Sequence, residues 1–159
     1  MGVRNNAQEI HIVPVYFGAD KASGVIADFI NMKHYNAVEF IIGFGTMGTE
    51  DYQFQVVASA SQAGGSGSDI NFTYRKTAAA GTDTMGAVTA VTAGSTVTAA
   101  YATDSTMKWI VDVDPSDVTA AKPYVGIELT RGSSATAQID VIALCWPKYP
   151  QETNAGALT

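Results

Sequence analysis

The sequence predicts an all-β fold: a single antiparallel β-sandwich of jelly-roll-like form with an extended tail at each end. Three observations predict it. First, apolar and polar residues alternate with a period of two, the mark of a strand with one buried face. Val38, Phe40, Ile42 and Phe44 alternate with Glu39 and Gly43; Tyr52, Phe54 and Val56 with Gln53 and Gln55. Met107, Trp109, Val111 and Val113 alternate with Lys108 and Asp112; Val125, Ile127 and Leu129 with Gly126, Glu128 and Thr130. Second, spacers rich in Gly, Ser and Thr separate these segments, as in sandwiches and barrels. Third, 159 residues with 47% hydrophobic content suffice for one domain with a sizeable core.

Taken in order, residues 1–9 are polar and aperiodic and form an N-terminal arm. Residues 10–150 form the β domain, and residues 151–159 a second tail. Ile10 to Tyr16 is the first strand, with Pro14 marking an edge or a bulge. Lys21 to Asn36 places Val25, Phe29, Met32 and Tyr35 near helical spacing, but Val25-Ile26 and Phe29-Ile30 favour short strands and loop. Ala37 to Phe44 and Asp51 to Ser59 follow, and the Gly45 to Glu50 link between them predicts a hairpin. Gln62 to Ser68 is a loop tip, and Ile70 to Lys76 a short strand.

Thr77 to Thr106 is biased towards Ala, Thr and Gly, with short strands expected at Ala87 to Thr92 and Thr96 to Ala100. Met107 to Asp114 is a strong strand. It runs into a helical turn with Asp114 as cap and Pro115 at the first position. Tyr124 to Thr130, a turn at Arg131 to Ser134, and Thr136 to Trp146 read as a last hairpin that Pro147 and Pro150 close.

Charged residues make up 15% of the chain, against roughly 25% in ordinary globular proteins. A neutral surface rich in Ala and Thr suits burial against partner subunits. The net charge is −6 with nine Lys and Arg, which repels phosphate backbones and argues against nucleic-acid binding. A single cysteine, Cys145, rules out an intrachain disulfide and lies in a strand pattern as a small buried hydrophobe. No charged-then-apolar leader and no run of membrane-spanning length is present. The expectation is synthesis in the cytoplasm with no membrane partner.

The motifs that could carry chemistry are weak. Gly43-Phe44-Gly45-Thr46-Met47-Gly48 matches G-x-G-x-x-G, but the alternating Tyr52 to Val56 follows where a dinucleotide fold needs a helix. Turn glycines with positive φ are the expected role. Residues 63–68 lack the Lys-Ser/Thr ending of a phosphate loop. His11 and His34, with no Cys or Glu at ligand spacing, read as surface or interface histidines. No nucleophile-elbow pattern supports a Ser-His-Asp triad. Asp112, Asp114 and Asp117 cluster and could offer oxygens to Ca²⁺, but capping accounts for Asp114. Asn71-Phe72-Thr73 matches a glycosylation acceptor without a secretory signal. Trp109, Tyr124, Trp146 and Tyr149 could build a sugar-stacking platform. Trp109 shares its face with Met107 and Val111 and reads as core, which leaves Trp146 and Tyr149 as the exposed aromatic contacts. No catalytic residue, cofactor or metal ligand is assigned.

Three segments together resemble a known class. They are Phe29 to Ile42 (FINMKHYNAVEFII), Met107 to Asp117 (MKWIVDVDPSD), and Tyr124 to Leu129 with the closing Gln138 to Leu144 and Pro147-Lys148-Tyr149. Their order is similar to small structural proteins of the head-gene region of tailed bacteriophages and prophages. Those proteins open with a strand, a Met-Lys-Asn-Tyr-like turn and an apolar strand, and close on an aromatic–Pro–x–Tyr ending. The resemblance spans about Phe29 to Tyr149, apart from the Ala/Thr tract.

It implies a non-enzymatic capsid decoration (cement) protein, a β-sandwich assembling as a homotrimer on the outside of the virion shell, with the major capsid protein as partner. Val3, Arg4, Asn5 and Ala7 of the arm, with Trp146 and Tyr149, are the expected partner contacts. An extended arm can add a strand to a neighbour's sheet edge. Alternatives are a tail, fibre or other virion component, or a carbohydrate-binding module using Trp146 and Tyr149.

Overall fold

A computed structural model describes residues 10–18, 25, 26, 28–64, 67–131 and 137–149. Val3, Arg4, Asn5 and Ala7, with both tails, lie outside the described residues. Among the described residues twelve strands form: β1 (His11–Gly18), β2 (Val25–Ile26), β3 (Ile30–Asn31), β4 (Tyr35–Phe44), β5 (Tyr52–Ser59), β6 (Ser68–Asp69), β7 (Phe72–Lys76), β8 (Thr89–Val91), β9 (Val97–Ala99), β10 (Lys108–Val113), β11 (Tyr124–Arg131) and β12 (Ile139–Pro147). A single helical turn, α1 (Tyr101–Asp104), precedes β10.

The strands pair antiparallel in two sheets that pack face to face as a sandwich. The large sheet has the order β1-β12-β4-β10-β7-β8. In the small sheet β11 and β5 lie side by side, with β2 and β3 along the free edge of β11, and β6 and β9 along that of β5. Count β2 with β3, and β6 with β9, as single columns, and set aside β7 and β8. The columns then run 1-8-3-6 in one sheet and 2-7-4-5 in the other. This is jelly-roll topology, with β7 and β8 as an extension of the large sheet.

The alternating residues do what their period dictates. Val38, Phe40, Ile42 and Phe44 of β4 point inward with Trp109, Val111 and Val113 of β10, and meet Phe54, Val56, Ile127 and Leu129 from the small sheet. Trp109 is 1% exposed and packs edge-on to Phe54, ring centroids 5.3 Å apart. Cys145 is fully buried on β12, and burial pushes its thiol up to about 12.

Pro14 lies on the outermost strand, and the β1–β12 register shifts between Pro14 and Tyr16, so the sequence feature marks both an edge and a bulge. Asp114 caps a 3₁₀ turn (Pro115–Asp117) by accepting the Ser116 N–H at 2.9 Å, which holds its carboxyl below the usual range.

Three expectations are corrected. β4 and β5 do not form a hairpin: β4 pairs with β12 and β10, β5 with β11, β6 and β9. The link between them is longer than a tight turn and arches over one end of the sandwich. Gly45 donates its N–H to Gln138 O at 2.8 Å and accepts from the Thr106 N–H at 3.1 Å, while Met47, 5% exposed, plugs the end of the core. β11 and β12 likewise belong to different sheets. Both pairs bury their apolar faces in one shared core from opposite sides, an outcome that alternation alone does not separate from a hairpin.

The third correction concerns Gly43, Gly45 and Gly48, which do not have positive φ. Gly64, Gly81 and Gly94 do, and so does Thr106 at φ 64°, a conformation that costs a β-branched residue on the order of 1–3 kcal/mol.

Candidate interaction surface

A sandwich sheet that meets water on its outer side carries polar residues there. The small sheet obeys this rule on its open part. Gln53 and Gln55 of β5 face outward beside Thr130 and Glu128 of β11, and Gln55 Nε2 donates to Glu128 Oε2 at 3.2 Å. The rest of that face is covered by the chain itself. Phe29 lies across Gly126, is 1% exposed, and is anchored by its N–H to Gln62 O at 3.0 Å.

The large sheet breaks the rule. The register places Ile142 of β12, Ile41 of β4 and Ile110 of β10 side by side on its outer face, with Pro14 of β1 at the end of the row. In the next row Ile12 lies beside Leu144, and beyond it Trp146 lies beside Ala37. Ile12 is 62% and Phe17 66% exposed, both on the outermost strand. The central residues Ile41, Ile110 and Ile142 are half-buried. This is a contiguous apolar patch across four strands, the kind of surface that marks an interaction site.

Charges punctuate the patch, one row carrying a residue of each sign and another two carboxyls. Asp140, Gly43 and Lys108 share one row. The absence of a β-carbon at Gly43 leaves room for the Lys108 side chain that lies over it. Glu39 and Asp112 are direct neighbours on β4 and β10. Burial, then a hydrogen bond to Asp112 and the charge of Asp112, pushes the Glu39 carboxyl up to about 7, while Arg75 pulls the other way. At neutral pH Glu39 therefore holds its proton about half of the time. The Arg75 Nε is buried without a hydrogen-bond acceptor.

The expected site residues scatter. Trp146 lies half-buried on the apolar face, and Tyr149, 74% exposed, lies just past the end of β12. Trp109 is in the core and Tyr124 is on the opposite sheet, so no four-residue aromatic platform forms. The three aspartates serve separate tasks. Asp112 bonds Glu39, Asp114 caps its turn, and Asp117 accepts from Asn71 N–H at 3.1 Å and Asn71 Nδ2 at 2.8 Å.

His34 is exposed. His11 is instead half-buried, with its ring Nδ1 2.7 Å from Tyr35 Oη. Tyr35 keeps its proton to about 12, chiefly through burial, so it is the donor to a neutral imidazole. Among the described residues no three His, Cys, Asp or Glu side chains could together hold a metal ion, and no helix is long and apolar enough to cross a membrane.

An ion pair between the buried Asp104 carboxylate and the partly exposed Lys76 pins the Ala/Thr-rich segment to the core. Lys76 Nζ, 5.0 Å from the centroid of the Trp109 ring, donates to Asp104 Oδ1 at 2.5 Å. The other oxygen of Asp104 takes the Ala100 N–H at 3.0 Å. The stretch 78–90 is mostly exposed but built chiefly of small residues, Ala, Gly and Thr, with Met85 and Val88 as its only large apolar side chains, so the larger apolar surface is that of the large sheet.

The sequence held a signal for it that alternation conceals. Ile41, Ile110, Ile142 and Leu144 occupy the positions where a one-sided strand would be polar, so these strands are apolar on both faces, as in sheets covered on both sides.

No family model matches this chain, and no curated protein or solved structure is significantly similar to it.

Proposed function

We propose that this protein is a non-enzymatic virion component that binds the outer surface of a tailed-phage capsid and stabilises it by bridging neighbouring major capsid protein subunits, as a homotrimer. The observation that carries an interaction role is the apolar outer face of the large sheet, which a solitary domain would leave in water. The virion assignment rests on the sequence resemblance of residues 29–149 to head-region structural proteins. The jelly roll is compatible with it, since viral capsid proteins use this architecture, though so do lectins; the fold supports the reading only by analogy.

Linked copies on one lattice make later contacts intramolecular, which raises avidity by on the order of 10²–10⁴ without new kinds of contact. Val3, Arg4, Asn5 and Ala7 of the arm and Trp146 and Tyr149 beside the sheet are the proposed capsid contacts.

The test is quantitative mass spectrometry of purified particles, with glycan-array binding by the isolated protein in parallel. A fixed ratio to the major capsid protein, lost together with particle stability on deleting the gene, supports the proposal. Absence from particles, or saturable glycan binding by the free protein, overturns it.

A further inference from the structure

We infer that the outer face of the large sheet, centred on Ile142, Ile41 and Ile110, is a self-association surface that receives a second copy of this chain. The inference deepens the proposed assembly role, and rests on it, by assigning the contact between copies to one face.

Three arguments favour a like copy over another occupant. The first is charge. The chain carries a net −6, so two copies repel over most of their surfaces. On this face Lys108 and Arg75 stand against Asp140 and Asp112, and burial favours the protonated form of Glu39. The face is nearly neutral, and because Lys108 and Asp140 stand at opposite ends of one row, a second copy turned end for end can set its aspartate against the first copy's lysine and its lysine against the first copy's aspartate. From the strands packed beside Glu39, the facing groups are Asp112 and Arg75; β12 offers only the uncharged Leu144.

The second argument is area. Four strands spaced about 4.8 Å apart, and six residues along β12 at about 3.3 Å each, outline with their side chains roughly 500 Å² per copy, or about 1,000 Å² for a pair. That lies just under the roughly 1,200–2,000 Å² of stable complexes and suits a weak, concentration-dependent self-association. The third is the edge. Strand addition along β1 is discouraged by Pro14 and its bulge, and β8 at the other edge has three residues. Association is left to the face, where Ile12 and Phe17 are already exposed. Two copies packed face to face, or three converging on one axis, both bury it.

The experiment is sedimentation velocity of the full chain over a hundredfold concentration range, for the natural sequence, Ile142→Glu, Ile12→Glu and the control Gln53→Lys on the polar sheet. Ile12 is largely exposed, so its variant keeps the fold even if a charge at half-buried Ile142 does not; circular dichroism verifies this. The expected result is a dimer or trimer that weakens at least tenfold in Ile12→Glu, and in Ile142→Glu if folded, and is unchanged in Gln53→Lys. A natural chain that stays monomeric throughout overturns the inference. So does a multimer that survives folded Ile12→Glu, in which case assembly stands and the surface assignment alone fails.

Discussion

Replacing Gly126 by alanine should destabilise the domain through a residue almost a hundred positions away in sequence. Gly126 sits in the middle of β11 on the outer side of the small sheet, and Phe29 lies flat against it. A β-carbon there would fall 2.6 Å from Phe29 Cγ and closer still to Cδ1, well inside contact distance. The ring cannot slide aside cheaply, because the Phe29 backbone is tied to Gln62 O. Driving it into water forfeits about 2–3 kcal/mol of burial, offset by about 0.5–1 kcal/mol because alanine suits a strand better than glycine.

The net loss is about 2 kcal/mol, which for a domain of this size lowers Tm by about 4–8 °C. Thermal and urea unfolding measure it, and a double-mutant cycle isolates the cause. Phe29→Ala alone should cost about 3 kcal/mol, and adding Gly126→Ala to it should cost nothing further. A Gly126→Ala change within 0.5 kcal/mol of the natural chain, or full additivity with Phe29→Ala, would refute the reasoning.

Three further outcomes are expected. Asp104→Ala removes the carboxylate that takes both Lys76 and the Ala100 N–H, and should cost about 2–3 kcal/mol in urea unfolding, with Asp104→Asn costing less because it keeps an acceptor; parity with the natural chain would contradict the pin. Glu39 binds its proton more tightly folded (about 7) than unfolded (4.5), so its contribution to stability is fully present below pH 4.5 and is lost as pH rises through about 7. After solvent screening that amounts to about 1 kcal/mol; Glu39→Gln should flatten this part of the stability–pH profile, and an unchanged profile would count against it. Cys145, fully buried with its thiol raised to about 12, should resist a disulfide reagent at pH 8 until denaturant is added, whereas rapid labelling of the native protein would show that β12 opens.

The strands were legible in the sequence because their inner faces feed one core, and a period of two records that demand directly. The caps were legible too: Asp114-Pro115 carries its own chemistry, and Pro14 announces an edge. Sheet membership was not. Whether two consecutive strands pair with each other or face each other across the core depends on non-local contacts, such as Gly45 with Gln138 and β12 with β1, that no local pattern encodes.

Phe29 and Gly126 illustrate the same limit: a glycine among alternating residues reads as a polar-side spacer, yet here it is the seat of a buried ring. The candidate surface was half visible. Trp146 stands out as an aromatic, while Ile41, Ile110 and Ile142 sit inside an alternation that they interrupt. An apolar residue on both sides of a strand records two coverings, and the fold supplies only one of them.

The most direct measurement of the central claim is a density map of a particle carrying this protein, at a resolution that traces the strands. The expected map shows copies on the shell exterior, each with Ile12, Phe17 and Ile142 of the large sheet covered by a neighbouring molecule and with Gln53 and Gln55 facing solvent. A shell without copies of the chain, or copies whose large sheet is open to water while the glutamine face is buried, would contradict it.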